Sequence, residues 1–167
     1  IWFNDKIEIE KYLIEPRGRF KGNSNLLLKP RTTEEVSKIV KICNAYNLPL
    51  VPQGGRTGLT GGSMPSRKGN EVIISLERMN KIISVDPDNY LMTVQSGCIL
   101  SEIKKVSEEK HCFFPLKLAS EGSCTIGGNI STNAGGLSVL KYGMTRDLVA
   151  GIEVVLPNGD IINNLKA

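Results

Sequence analysis

Pro52-Gln53-Gly54-Gly55-Arg56-Thr57-Gly58-Leu59-Thr60-Gly61-Gly62-Ser63 is the stretch on which the reading of this chain turns. Five glycines, at 54, 55, 58, 61 and 62, fall within nine residues. Glycine reaches backbone conformations closed to other residues and lets a ligand approach without a Cβ in the way. Successive N–H groups can then converge on an anion. Arg56 offers charge, and Thr57, Thr60 and Ser63 offer hydroxyl donors. No Asp or Glu occurs from Pro49 to Asn70. An acid-free, hydroxyl-rich glycine loop fits a phosphate or diphosphate. The competing reading is a flexible connection between two strands. A phosphate loop of the Gly-Lys-Ser/Thr kind is excluded, because no such ending exists here. The dinucleotide pattern G-x-G-x-x-G is excluded by the spacing, G-x-x-G-x-x-G-G.

The flanks are strongly patterned, so the loop joins ordered elements. Upstream, Asn25 to Lys29 reads as a short apolar strand stopped by Pro30. Thr32-Thr33-Glu34-Glu35 reads as a capping box. Val36, Ile39, Val40 and Cys43 follow at helical spacing, which predicts a helix over about 33–46. Leu48 to Pro52 is a short buried strand leading into the loop, and Glu71 to Leu76 a strand leaving it. The order strand–helix–strand–loop–strand is that of a small βαβ unit. Residues 1–22 read as an entry arm, with a basic cluster at Arg17, Arg19 and Lys21 around Phe20. Further on, Tyr90 to Ser96 alternates as a strand with one wetter face, and Ser101 to Glu109 reads as a helix. Pro157-Asn158-Gly159 between the apolar runs 148–156 and 160–162 is a hairpin signal.

A second glycine-rich stretch runs from Gly122-Ser123-Cys124-Thr125-Ile126-Gly127-Gly128-Asn129 to Thr132-Asn133-Ala134-Gly135-Gly136. Together the two windows hold ten of the 17 glycines, which is why both are treated as built loops. Ile126, Ile130 and Ala134 recur every four residues, as in one or two turns of helix with an apolar underside. Its N-terminus, at Gly127-Gly128, would aim free N–H groups at an anion. No acid occurs from Gly122 to Arg146. A Gly-rich turn between core strands is the alternative. Two such loops suit a long ligand with phosphates at its middle, such as a dinucleotide.

Composition narrows the class. The chain has 167 residues, 40% hydrophobic and 23% charged, which suits one globular domain and excludes a disordered tail or coiled coil. No apolar run nears the roughly 20 residues of a membrane helix. The first ten residues resemble neither a secretory signal nor a transit peptide, and there is no initiator Met. Net charge of +4 permits an anionic ligand; with few aromatics and scattered lysines, no nucleic-acid surface is read. Four cysteines, none two residues apart, and one histidine point to reduced, mostly buried thiols and to no metal site. Cys98 and Cys124 lack a base to activate them, and His111 reads as a surface residue. No side chain stands out as catalytic.

The two loops, with Lys29 to Val36, Ser96-Gly97-Cys98 and Gly151 to Leu156, resemble the FAD-binding domain of the vanillyl-alcohol-oxidase (PCMH-type) flavoproteins. Within these the chain is most similar to the D-2-hydroxyacid dehydrogenases, which act on D-2-hydroxyglutarate, D-lactate or glycolate. The resemblance runs from about Arg17 to the end and implies an α+β fold of two α/β subdomains with FAD extended between them. The arm would be 1–22, the first subdomain 23–88, and the second, incomplete, 89–167. Loop one would hold the diphosphate through Pro52, Gly54, Gly55, Arg56, Thr57, Gly58, Leu59 and Ser63. Pro115, Ala119, Gly122, Ser123, Gly127, Gly128, Asn129, Thr132 and Asn133 would line the ribityl and isoalloxazine side. Gly135, Gly136, Gly151, Ile152 and Val154 would contribute backbone and packing near the cofactor. Some relatives attach flavin to a loop-one histidine; Arg56 and Thr57 stand in that neighbourhood here, so the FAD is expected to be non-covalent.

By the same resemblance, the whole enzyme takes a hydride from the substrate Cα to flavin N5 and oxidises a D-2-hydroxy acid to a 2-oxo acid. Electrons then leave to a quinone, a carrier protein or another acceptor. The family's substrate domain, its base and its metal site lie downstream of the segment matched here, so the fragment alone is expected to be inactive. A bacterial cytoplasm or mitochondrial matrix is the expected compartment, with peripheral membrane association allowed. Two other readings stay open: a sugar-lactone oxidase or cell-wall-precursor reductase of the same superfamily, and a non-catalytic nucleotide-binding module.

Overall fold

The structure is a computed structural model and describes residues 1–165. Four strands build its main sheet: β1 (Trp2–Phe3), β2 (Leu26–Leu28), β3 (Leu50–Gln53) and β4 (Val72–Ser75). Their spatial order is β1-β2-β4-β3. β4 pairs in parallel with both β2 and β3, and β1 closes the edge antiparallel to β2. All four β4 residues are buried, as expected of a central parallel strand covered on both faces. Helix α2 (Thr33–Ala45) makes the crossover from β2 to β3. The expected βαβ unit is therefore present, with β4 inserted between its two strands.

Local chemistry sets these boundaries. Thr32 caps α2 by accepting from the Glu35 N–H at 3.2 Å. The Glu35 carboxylate reaches back one residue further than a capping box requires, to the Arg31 N–H at 2.7 Å. The entry arm is more ordered than expected. It contains helix α1 (Lys6–Leu13), N-capped by Asp5, whose carboxylate accepts from the Ile7 N–H at 2.8 Å. Ile9 and Tyr12 of α1 pack with Leu27 and Ile73 in one buried cluster on the sheet.

The remaining elements are β5 (Ile82–Asp86), β6 (Leu91–Val94), α3 (Leu100–Glu109), α4 (Ile126–Ser131), α5 (Val139–Tyr142), a 3₁₀ turn (Thr145–Leu148), β7 (Glu153–Val155) and β8 (Ile161–Asn163). β5 and β6 form an antiparallel hairpin that spans the expected division at 88/89. Two further buried clusters join Cys98, Ile103 and Ile126, and Leu100, Leu116 and Cys124. They fix α3, α4 and loop two against each other. The apolar run 148–156 splits between the 3₁₀ turn and β7, and the β7–β8 hairpin turns at Gly159, φ +86. The hairpin docks on α2: the Ser37 hydroxyl donates to the Gly159 carbonyl at 2.5 Å, and Asn44 donates to that of Pro157. No helix among the described residues is long and apolar enough to cross a membrane.

Candidate functional site

Loop one leaves the end of β3 and returns toward the sheet after Ser63. From Gly54 to Ser63, no backbone N–H donates a hydrogen bond within the described residues. The carbonyls of the same stretch are partly engaged. Leu59 accepts from Arg17 Nη2 at 3.1 Å, Gly61 from the Met64 N–H at 2.9 Å, and Ser63 from Gln53 Nε2 at 2.6 Å. The loop thus turns several acceptors to its own scaffold and keeps its donors free. Gly54 to Thr57 are half-buried, so these donors are sheltered as well as unpaired. Unpaired sheltered N–H groups are costly unless a ligand or water takes them. Arg56 departs from expectation. Its φ is +56, and its guanidinium donates to the Lys11 carbonyl and stacks 4.7 Å over the Tyr12 ring. The side chain expected to meet an anion is spent on α1.

The two glycine loops touch. A Cβ on Gly54 would stand 2.2 Å from Thr125 Oγ1, and one on Gly55 2.0 Å from the Ser123 carbonyl oxygen. These glycines therefore make room for loop two, where the sequence pattern had pointed to room for a ligand. Gly58, Gly62 and Gly122 behave differently, since a Cβ at any of them meets nothing within 4 Å.

Loop two contains the expected short helix, α4, with Ile126 and Asn129 buried. Of the Gly127-Gly128 donors that the sequence predicts to be free at its N-terminus, only that of Gly128 is unspent. The Ile126 N–H donates to the Cys98 carbonyl at 2.9 Å and the Gly127 N–H to the Ser96 carbonyl at 2.8 Å. The segment Ser96-Gly97-Cys98 runs beside α4 and takes those donors. The Thr132 hydroxyl turns inward too, to the Gly128 carbonyl at 2.8 Å. Asn133, φ +46, accepts from the Arg146 N–H at 3.0 Å. Ala119, Gly135 and Gly136 line a cleft of about 460 Å³ with Lys117, Leu118, Glu121 and Leu137. Pro115 is half-buried beside Leu116 of the core, and Gly122 and Ser123 are exposed where loop two meets Gly55. Gly151, Ile152 and Val154 lie at and just before the hairpin seated on α2. Their nearest contacts are with β8 and the residues after it: Ile152 N–H donates to Asn164 Oδ1 at 2.7 Å, and Val154 pairs with Ile162.

Sequence reasoning passed over two residues. Thr125 Oγ1 and Gln53 Oε1 are buried without a hydrogen-bond partner. An unsatisfied buried polar group costs about 1–3 kcal/mol; Thr125 sits where the loops meet, and Gln53 at the root of loop one. Thr125 lies within the second quoted stretch and Gln53 within the first, so position was the available signal. Acid–base chemistry is poorly represented. Burial pushes the Cys43 and Cys98 thiols up, away from the reactive thiolate. Cys98 donates to the Lys81 carbonyl at 3.3 Å. His111 is exposed past the end of α3. In the cleft, Glu121 is paired with Lys104 at 2.7 Å. What the arrangement offers is an acid-free loop with unspent N–H groups, in contact with loop two, and an open cleft on the far stretch of loop two.

Residues 24–164 match the family described as the FAD binding domain. A mitochondrial D-2-hydroxyglutarate dehydrogenase of Danio rerio is 48% identical over 144 residues, covering 86% of this chain and 27% of that protein. A D-2-hydroxyglutarate–pyruvate transhydrogenase of Saccharomyces cerevisiae is 44% identical over 149 residues, covering 89% and 30%. The chain therefore spans under a third of the length of these curated relatives. Among solved structures, an alkyldihydroxyacetonephosphate synthase superposes with a TM-score of 0.86 at 25% identity, covering 99% of this chain and 32% of that one.

Proposed function

The chain belongs to the FAD-binding domain family, and from that premise we propose that it seats the FAD of a dehydrogenase oxidising a D-2-hydroxy acid, of the 2-hydroxyglutarate and lactate class, to the 2-oxo acid. The residues present fit the cofactor. The observation that carries this reading is the run of unspent N–H groups from Gly54 to Ser63, in a loop without a carboxylate and in contact with loop two. A diphosphate needs several donors and no competing anion. Thr125 Oγ1, buried and unpaired where the loops meet, is a further donor or acceptor for it. The cleft beside Ala119, Gly135 and Gly136, on the loop-two side, offers room for a flat apolar group.

When bound, FAD supplies the hydride acceptor; the protein supplies position. Loop one holds the anionic middle of the ligand, and loop two walls its other half. With no His or Cys between Gln53 and Ser63, loop one offers no nucleophile for attachment, which favours a non-covalent cofactor. We read 23–88 and 89–167 as the two halves of the seat; Leu27 and Ile73 are buried in a cluster before that division and Leu100, Leu116 and Cys124 in one after it, while the β5–β6 hairpin straddles it. The seat holds no unpaired carboxylate and no imidazole among the described residues, so we assign it cofactor binding and no proton transfer. The names of the relatives favour a mitochondrial enzyme.

The test is dye reduction by the intact protein with D-2-hydroxyglutarate, D-lactate and their L-enantiomers. D-specific reduction is expected, with little or none from residues 1–167 alone. Reduction by a sugar lactone and by no hydroxy acid would overturn the substrate class.

A further inference from the structure

The family match begins at residue 24, yet the segment before it is built into loop one. A helix leaves its last carbonyls without intrahelical partners. At the end of α1, those of Lys11 and Tyr12 are taken by loop-one side chains: Arg56 donates to Lys11, and Gln53 Nε2 donates to Tyr12 at 2.9 Å. The Leu13 carbonyl accepts from the Gly22 N–H at 2.8 Å. Gln53 is 1% exposed, and the same Nε2 donates to the Ser63 carbonyl at 2.6 Å. Two carbonyls at one end of the amide fix its orientation. One buried NH₂ group thereby joins both ends of loop one, residues 53 and 63, and ties them to α1.

The arm holds the loop at its far side too. Arg17 donates from Nη2 to the Leu59 carbonyl at 3.1 Å and from Nε to Glu15 Oε1 at 2.7 Å. Glu15 is itself buried and accepts from the Arg19 N–H at 3.3 Å. On its other face α1 is anchored to the sheet, where the Tyr12 hydroxyl donates to Glu77 at 2.8 Å and Lys29 pairs with Glu77 at 2.7 Å. Loop one is thus gripped at its root, its start and its middle by bonds that use its Gln53 and Arg56 side chains and its Ser63 and Leu59 carbonyls. This leaves its N–H groups unspent.

We propose that Gln53 is a positioning residue for the anion-binding loop, and that it acts with residues 11–17 of the arm as an outer brace that keeps the loop open to a diphosphate. The inference rests on the reading of loop one as the diphosphate seat. Gln53→Met keeps the side chain's length and removes its donors. In the intact, folded protein it should weaken both FAD and ADP by about tenfold, the scale of one buried hydrogen bond. It should also speed tryptic cleavage after Arg56 in the cofactor-free protein. A residue that merely added stability would lower the melting temperature and leave both dissociation constants of the folded protein unchanged; that result overturns the proposal.

Should Gln53→Met fail to fold, Arg17→Lys decides. It keeps a cation beside Glu15 but cannot bridge Glu15 and Leu59 at once. A several-fold loss of FAD and ADP affinity supports the brace, and unchanged affinity refutes it. Failure of the wild-type intact protein to bind either FAD or ADP would instead overturn the diphosphate reading. The cleavage rate after Arg56 would then still test the brace, with no acceleration in the variant counting against it.

Discussion

Gly55→Ala tests the contact on which the seat depends. The added methyl would lie 2.0 Å from the Ser123 carbonyl oxygen and 2.9 Å from Cys124 Cα. Both are main-chain atoms in a segment whose neighbours Cys124 and Thr125 are buried. Comfortable contact lies near 3.5 Å, so loop two must retreat by roughly 1.5 Å or the methyl must stay strained. Overpacking of this kind costs about 1–3 kcal/mol, occasionally more. For a domain of this size, about 3 kcal/mol lowers the melting temperature by roughly 6–12 °C. Gly58→Ala is the control, since nothing lies within 4 Å of its added methyl. It should melt at or slightly above wild type, because alanine restricts the unfolded chain. Both variants should lose FAD affinity, Gly55→Ala by parting the loops and Gly58→Ala by intruding on the ligand's side. The assay is thermal unfolding of the cofactor-free proteins by circular dichroism, followed by FAD titration. A Gly55→Ala protein melting within a degree or two of wild type would refute the claim that the glycines exist for loop–loop contact.

Thr125→Val removes an unpaired buried hydroxyl at nearly constant shape, so the cofactor-free protein should gain about 1 kcal/mol while FAD affinity falls; a loss of stability on denaturant titration would contradict this. Burial pushes the Glu77 carboxyl up, but Lys29 and Tyr12 outweigh it and hold it below its usual value. The contribution of Glu77 is therefore present above its ordinary value near pH ~4.3 and is lost as pH falls through the lower folded one. Glu77→Gln should flatten that acid limb in a melting-temperature profile. Burial likewise pushes Lys29 down, yet the same partners hold it above its usual value. Its share persists below about pH 10.4 and is lost as pH rises through the raised folded value. Among the four free thiols, Cys112 is the half-exposed one while Cys43, Cys98 and Cys124 are buried. Iodoacetamide followed by peptide mass analysis should therefore label Cys112 first.

Much of the fold could be read because local and global signals agreed. The Thr32 cap, the helical spacing through Cys43 and the buried run of β4 each reported one environment. The Asn158-Gly159 turn did the same, with Gly159 at positive φ. Helix α1 was hidden because Ile7 and Ile9 alternate as in a strand; only the fold shows Ile9 and Tyr12 buried one turn apart, with Ile7 81% exposed. β5 was hidden by a register shift between Ile82 and Ser84 that breaks its alternation. At the site, glycine density located both loops but not the use of each residue. Whether a missing Cβ faces a ligand or another loop depends on contacts between residues far apart in sequence, such as Gly55 with Ser123 and Gly54 with Thr125. The spending of the α4 donors on Ser96 and Cys98, and of Arg56 on α1, is likewise tertiary. Composition pointed to two acid-free loops, and the packing leaves unspent N–H groups chiefly on the loop-one backbone.

The most direct test of the central claim is titration of the intact, cofactor-free protein with FAD, followed by flavin fluorescence and the visible spectrum, with ADP as competitor. Saturable binding of one FAD per chain, a perturbed flavin spectrum, displacement by ADP and full release of the flavin on acid precipitation are expected. An intact, folded protein that leaves the flavin spectrum unchanged at every concentration would contradict the account.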